Sequence, residues 1–313
     1  MSLDPQTKMI LEFFAAAGAP PLEALAPEMA RQAFALPQGD LEPVGRVENR
    51  TIPGPESEIP VRVYYPKEVQ PYSPAIVYYH GGGWVVGNLD SHENICRALT
   101  NIANCVTISV DYRLAPEHKF PAAVYDCYAA VEYVYDHAEE FQVDQNRIAV
   151  GGDSAGGNLA AVITNMAKDK NKPAICFQLL LYPATNILGT PSASKVDNAE
   201  GYFLTQGTME WFRDCYINAG EEDTPLLSPI LYEDVRGLPP ALVITAEYDP
   251  LRDEGEEYAK KLADAGVEVE LTRYDGTIHG FISMAGVIGL GKAALEQSGT
   301  ALKKSFNKQT IKK

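Results

Sequence analysis

One serine stands where a nucleophile would. An apolar run, Ile148-Ala149-Val150, ends in Gly151 and Gly152; Ser154 follows, and Ala155-Gly156-Gly157 leads into the apolar stretch Leu159 to Ile163. That order reads as strand, sharp turn, helix, and Gly152-Asp153-Ser154-Ala155-Gly156 fits G-x-S-x-G, a turn that presents a hydroxyl at its apex. So tight a turn strains the backbone, and small flanking residues let neighbouring chain approach it. A chain with 25 glycines can meet the pattern by chance, so its meaning depends on partners elsewhere.

A serine hydroxyl is almost wholly protonated at neutral pH and needs a base. Five histidines are available. His80 adjoins three glycines, where shaping the turn is its natural role; His92, His118 and His137 fall in charged helical or loop stretches that suit solvated or hydrogen-bonded side chains. His279 follows the last strand-like run, in the flexible loop Asp275-Gly276-Thr277-Ile278-His279-Gly280-Phe281, where a base belongs. The imidazole needs an acid to fix its tautomer. Asp249, just after the run Ala241 to Ala246 and before Pro250, is the preferred candidate, with Glu247 the alternative. The order Ser154, Asp249, His279 is one of the known orders of a nucleophile-acid-base triad. Donors for a developing oxyanion come from His80-Gly81-Gly82-Gly83, at another strand end, and from the N–H of Ala155. The glycine triplet lacks the G-K-[ST] of a phosphate loop, and Gly151 to Gly156 carries Asp153 where a dinucleotide fingerprint needs glycine.

These residues require elements to carry them. Strand-like runs occur at Val44 to Ile52, Glu58 to Tyr65, Ala75 to Tyr79, Cys105 to Val110, Ile148 to Val150, Ile175 to Leu181, Ala241 to Ala246 and Val267 to Tyr274. Helical patterns fall near Ser91 to Ile102, Ala122 to His137, from Ser154 onward, Glu254 to Ala265 and Lys292 to Lys304. Pro53-Gly54-Pro55 joins the first two runs as an antiparallel pair, and the alternation that follows predicts a mostly parallel eight-stranded α/β sheet with helices on both faces. Ligands gather at the carboxyl ends of such strands. Residues 5 to 36 hold two helical patterns around Gly18-Ala19-Pro20-Pro21, and residues 184 to 226 are too long for an ordinary connection. Both stretches suit a covering over the site.

With 46% hydrophobic and 22% charged residues, the 313-residue chain has the composition of a soluble globular protein, read as one domain. Its net charge of −16 argues against a nucleic-acid partner, whose affinity comes from Lys and Arg on phosphates. Five cysteines without a C-x-x-C pair suit reduced thiols in the cytoplasm. Asp4 and Glu12 interrupt what otherwise resembles an export signal, and Ile10, Phe13, Phe14 and Ala17 have helical spacing instead. No run approaches the roughly 18 apolar residues of a membrane span. Asn49-Arg50-Thr51 matches a glycosylation sequon by chance, and the lysines at 303, 304, 308, 312 and 313 read as a solvated tail.

Five motifs together resemble the hormone-sensitive-lipase family of carboxylesterases, in its bacterial and archaeal branch. They are His80-Gly81-Gly82-Gly83-Trp84; Asp111-Tyr112-Arg113-Leu114-Ala115-Pro116-Glu117 with Phe120-Pro121-Ala122-Ala123; Gly152 to Gly157; Asp249-Pro250-Leu251-Arg252-Asp253-Glu254-Gly255; and His279-Gly280-Phe281. The resemblance runs from about residue 40 to the C-terminus. It implies an α/β-hydrolase fold, a helical cap from residues 1–40 and 184–226, no cofactor or metal, and hydrolysis of short to medium acyl esters. By the same resemblance Ser154 is the nucleophile, His279 the base and Asp249 its partner, with Gly82, Gly83 and Ala155 as oxyanion donors. Arg113 and Glu117 would tie the loop beneath the site, and a homodimer would pair through the last strand. Trp84, Tyr202, Phe203, Trp211 and Phe281 either line the substrate pocket or pack the cap. Two other functions remain open on these residues: an amidase or lactonase with the same triad, and a non-catalytic small-molecule receptor on the same fold, against which His279 speaks.

Overall fold

A computed structural model describes residues 2–187, 191–221 and 224–311. Two helices open the chain, α1 (Pro5–Ala17) and α2 (Pro27–Ala33), separated by a short 3-10 turn at Leu22–Ala24. Asp4 caps α1, its carboxylate accepting from the N–H groups of Gln6 and Thr7. Strands β1 (Arg46–Pro53) and β2 (Glu58–Tyr65) form the expected antiparallel hairpin, with Ile52 opposite Ile59. Then β3 (Ser73–Tyr79), α3 (Glu93–Ala103), β4 (Val106–Val110), α4 (Ala122–Asp136), β5 (Val143–Asp153), α5 (Ala155–Lys170) and β6 (Phe177–Leu181) alternate. The short α6 (Ala193–Asp197) and α7 (Gln206–Tyr216) interrupt the rhythm before β7 (Ala241–Tyr248), α8 (Arg252–Asp264), β8 (Val269–Ile278) and α9 (Gly289–Ile311) resume it.

The eight strands make one sheet in the order β1-β2-β4-β3-β5-β6-β7-β8, antiparallel at β1, β2 and β4 and parallel from β4 to β8. Successive side chains on a strand point to opposite faces. On β3, Val77 and Tyr79 pack on one core with Val124 of α4, Leu159 of α5 and Tyr258 of α8, while Ile76 and Tyr78 pack on the other with Leu99 of α3 and Leu302 of α9. With helices on both faces, the central strands bury both sides and are mostly apolar, which is why they read as near-continuous hydrophobic runs.

Of the boundaries that differ from the sequence reading, three change how a stretch is understood. β5 begins five residues before Ile148, because the polar start Asp144-Gln145-Asn146 lies at the sheet's amino edge and carries no apolar signal. β8 continues through Ile278, so His279 leaves the end of a strand and is buried instead of sitting in a flexible loop. Lys303, Lys304 and Lys308 belong to α9, and Lys308 pairs with Glu268 at 2.7 Å, so this stretch is helix rather than tail; Lys312 and Lys313 lie outside the described residues.

All five cysteines are unpaired, and Cys96, Cys105, Cys127 and Cys176 are buried. Burial pushes the thiols of Cys96, Cys105 and Cys176 up to about 12. Among the described residues no helix is long and apolar enough to cross a membrane.

Between β4 and α4, Arg113 fixes the chain to α4. Its Nε and Nη2 donate to the two carboxylate oxygens of buried Asp126 at 2.8 Å each, and its backbone N–H adds a third bond at 3.0 Å. Glu56 takes Nη1 from the other side. Removing the guanidinium strands a buried carboxylate. Arg113→Met should therefore cost about 3–5 kcal/mol of stability, read from the midpoint of urea unfolding at unchanged m-value.

Candidate active site

β5 ends in a backbone that only a small flanking sequence tolerates. Ser154 has φ +56° and ψ −117°, an unusual conformation for a residue with a Cβ, and is held there by Ser154 N–H to Leu181 O at 2.9 Å. A Cβ on Gly156 would lie 1.9 Å from Tyr79 O, so the start of α5 can cross β3 this closely only with glycine there. The crossing sets Ser154 beside the chain that leaves β3.

Ser154 Oγ lies 2.8 Å from His279 Nε2, and His279 Nδ1 lies 2.7 Å from Asp249 Oδ2. Those contacts place the ring proton on Nδ1, toward the carboxylate, and leave Nε2 free to accept from the serine. The second oxygen of Asp249 accepts from Leu251 N–H at 2.8 Å, and its carbonyl accepts from Asn198 at 3.3 Å. Asp249 is fully buried and His279 nearly so, with the Tyr182 ring 4.8 Å from the imidazole. Glu247 is engaged elsewhere, accepting from Gly276 N–H at 2.7 Å.

Gly82 and Gly83, at φ +116° and +58°, line the same cavity as Ser154 and Ala155. Ala155 is the first residue of α5, so its N–H has no acceptor within the helix and sits at the helix's positive end. His80 anchors the loop: its ring stacks on Tyr112 at 4.3 Å, its Nδ1 lies 2.8 Å from Gly81 O, and its carbonyl accepts from the Tyr112 hydroxyl at 2.7 Å. Burial pushes the His80 imidazole down to about 3, so it stays neutral in working conditions. His118 is exposed, and half-buried His137 stacks on Tyr133. His92 takes the hydrogen-bonded role, buried against Asp153.

The cavity is about 940 Å³, large for a small-molecule pocket and mostly apolar. Leu11 and Phe14 of α1, with Phe34 after α2, form one wall; Met209 and Phe212 of α7, with Val196 of α6, form another. Trp84, Tyr202 and Phe203 line it as well, whereas Trp211 and Phe281 do not. Phe281 is fully buried under the site between Tyr182 and Tyr274, because the turn at Gly280 sends it inward. On α7 the buried side chains are Thr208, Phe212 and Tyr216, spaced four apart, so Phe212 takes the cavity position and Trp211 is turned aside. That spacing was the available signal for Phe212.

Two clamps went unread in the sequence. Arg31 of α2 donates to Val85 O and Ala115 O at 2.8 Å and grips both oxygens of Glu117, holding that carboxyl down to about 2 through the bonds themselves. Buried Glu254 accepts from Thr185 and Asn186 N–H at 2.8 and 3.1 Å and pairs with Lys195 at 2.7 Å, which ties α6 to the start of α8. Glu117 thus ties its loop to the N-terminal segment, as Arg113 ties the same loop to α4. Among the described residues no cluster of His, Cys, Asp and Glu is arranged to hold a metal ion.

A family model described as the alpha/beta hydrolase fold matches residues 76–283. The chain belongs to that family, within its carboxylic ester hydrolases. It is 41% identical over 317 residues to the carboxylesterase NlhH of Mycobacterium tuberculosis, covering 97% of each chain. Among solved structures it is similar to the ester hydrolase EH1AB1 from the metagenome of Lake Arreo, at TM-score 0.95 and 43% identity over 97% of this chain and 99% of that one. A hyperthermophilic esterase from the archaeon Pyrobaculum calidifontis matches at TM-score 0.91 and 43% identity over the same shares.

Phe212 packs directly over Gly83, where even a Cβ would strike its ring. Phe212→Ala should cost about 3 kcal/mol in unfolding free energy. It should also raise kcat/KM for a branched acyl ester relative to acetate by about tenfold, measured on paired p-nitrophenyl esters.

Proposed function

We propose that Ser154, His279 and Asp249 act as nucleophile, base and orienting acid, and that the N–H groups of Gly82, Gly83 and Ala155 take the oxyanion. The protein is a serine carboxylic ester hydrolase. The observation that carries the assignment of roles is the unbroken chain of contacts from Ser154 Oγ through His279 to Asp249, at 2.8 and 2.7 Å.

Ser154 Oγ attacks the ester carbonyl carbon while His279 Nε2 takes its proton, and the carbonyl oxygen becomes an oxyanion facing the three N–H groups. Collapse of the tetrahedral intermediate breaks the bond to the alcohol oxygen, which leaves with the proton from His279. Water, deprotonated by the same nitrogen, then attacks the acyl-enzyme; the bond to Ser154 Oγ breaks, Oγ takes the proton back from Nε2, and the carboxylic acid leaves. Asp249 keeps Nδ1–H in place and stabilises the imidazolium. The described residues of 1–40 and 184–226 form a cap over one catalytic domain, and the mainly apolar walls suit short to medium acyl groups. Trp84, Tyr202 and Phe203 join Phe14, Phe34 and Phe212 as aromatic residues of that pocket. The five unpaired thiols suit a reducing, cytoplasmic setting. A homodimer would add its strands along β8, the edge strand of the sheet, which among the described residues has β7 as its strand partner.

Ser154→Ala should abolish hydrolysis of a p-nitrophenyl ester series, and Asp249→Asn should lower kcat by about 10⁴ with the fold intact. Undiminished turnover by the serine variant would sink the assignment. Parallel assays of acetyl anilides and lactones separate an esterase from an amidase or lactonase on the same residues.

A further inference from the structure

Asp153 is buried between the nucleophile and the glycine loop, yet it is neither a proton carrier nor an oxyanion donor in the mechanism above. Its Oδ1 accepts from the Tyr78 hydroxyl at 2.8 Å and from Gly81 N–H at 3.0 Å. Its Oδ2 lies 3.2 Å from His92 Nε2. His92 Nε2 is also 3.3 Å from Gly81 N, and its Nδ1 is 2.8 Å from Ser91 Oγ, which in turn bonds both the N–H and the carbonyl of Asn88 at 2.9 Å. Burial works against charge on Asp153, and His92 with the Tyr78 hydroxyl more than offsets it, holding the carboxyl below its usual range. A carboxylate removed from water at this cost is retained for what it holds.

What it holds is a loop with little stiffness of its own. Three consecutive glycines have more backbone freedom than other residues, and an oxyanion hole needs its donors within about 2.7–3.1 Å of the charge they meet. Gly81 packs so closely on Asp153 that a Cβ there would lie 2.4 Å from Oδ2. We propose that Asp153 is a positioning residue: by binding Gly81 N–H from the position immediately before Ser154, it fixes the glycine loop relative to the nucleophile. His92 steadies the carboxylate from its far side. The inference rests on the serine-hydrolase reading, which Ser154→Ala tests separately.

The experiment compares wild type with Asp153→Ala and Asp153→Asn. It measures kcat and KM on p-nitrophenyl acetate, and the affinity for a trifluoromethyl ketone that forms a tetrahedral adduct on serine. Asp153→Ala should lower kcat by about 100-fold, the cost of displaced donors, with KM changed less than about threefold and ketone affinity falling in step with kcat. Asp153→Asn keeps an oxygen for Gly81 and Tyr78 and should recover about tenfold of that loss. A folded Asp153→Ala that keeps kcat, raises only KM, or binds the ketone as wild type does would overturn the proposal. If Asp153→Ala does not fold, His92→Gln carries the test: about a tenfold loss of kcat and ketone affinity together supports the role, and unchanged values refute it. Activity in Ser154→Ala would instead bring down the serine mechanism itself.

Discussion

The close crossing of α5 over the end of β3 is the constraint on which the site depends. Tyr79 pairs with Gly152 in the parallel ladder between β3 and β5, so both strands end at one level of the sheet. The chain leaving β3 becomes the glycine loop within two residues, and the chain leaving β5 becomes Ser154 at the next one. Without a side chain at Gly156 the two ends come within van der Waals reach, and nucleophile and donors share one small volume. The left-handed backbone at Ser154, worth about 1–3 kcal/mol of strain, persists because the surrounding strands over-determine it.

Three buried carboxylates cluster at this edge, and each fastens a loop to a strand end. Asp249 binds Leu251 N–H, Glu254 binds the two N–H groups after β6, and Asp153 binds Gly81. Each has its own donor: an imidazole for Asp249 and for Asp153, and an ammonium for Glu254. Short, charge-assisted bonds of this kind keep irregular segments as ordered as the sheet that carries them.

Much of this was legible before any coordinates. The α/β alternation and the opening hairpin follow from periodicity and turn residues, and the sheet has the strands those signals predicted. Ser154, Asp249 and His279 could be brought together on paper because parallel strands send all their carboxyl ends to one side. Side-chain direction was less readable. Trp211 and Phe281 are large and near the site in sequence, but a helix face and a glycine turn aim them elsewhere, while Phe14 and Phe212 take the wall. Asp153 occupies the variable position of its motif, and Arg31 lies far from its partners in the chain; contacts of that range have no local pattern to betray them.

The reacting groups and the walls around them are held by different means. Ser154, Asp249 and His279 hang from β5, β7 and β8, in the interior of the sheet's hydrogen-bond ladder or next to it. The walls come from α1, α6 and α7, which leave Phe13 on the outside of α1 mostly exposed and which reach the sheet through a few side-chain clamps. Segments with so little buried surface open at lower free energy than a sheet does. Gentle warming or dilute denaturant would thus erode selectivity among substrates while bond breaking continued, so the molecule's discrimination and its chemistry have separate melting points.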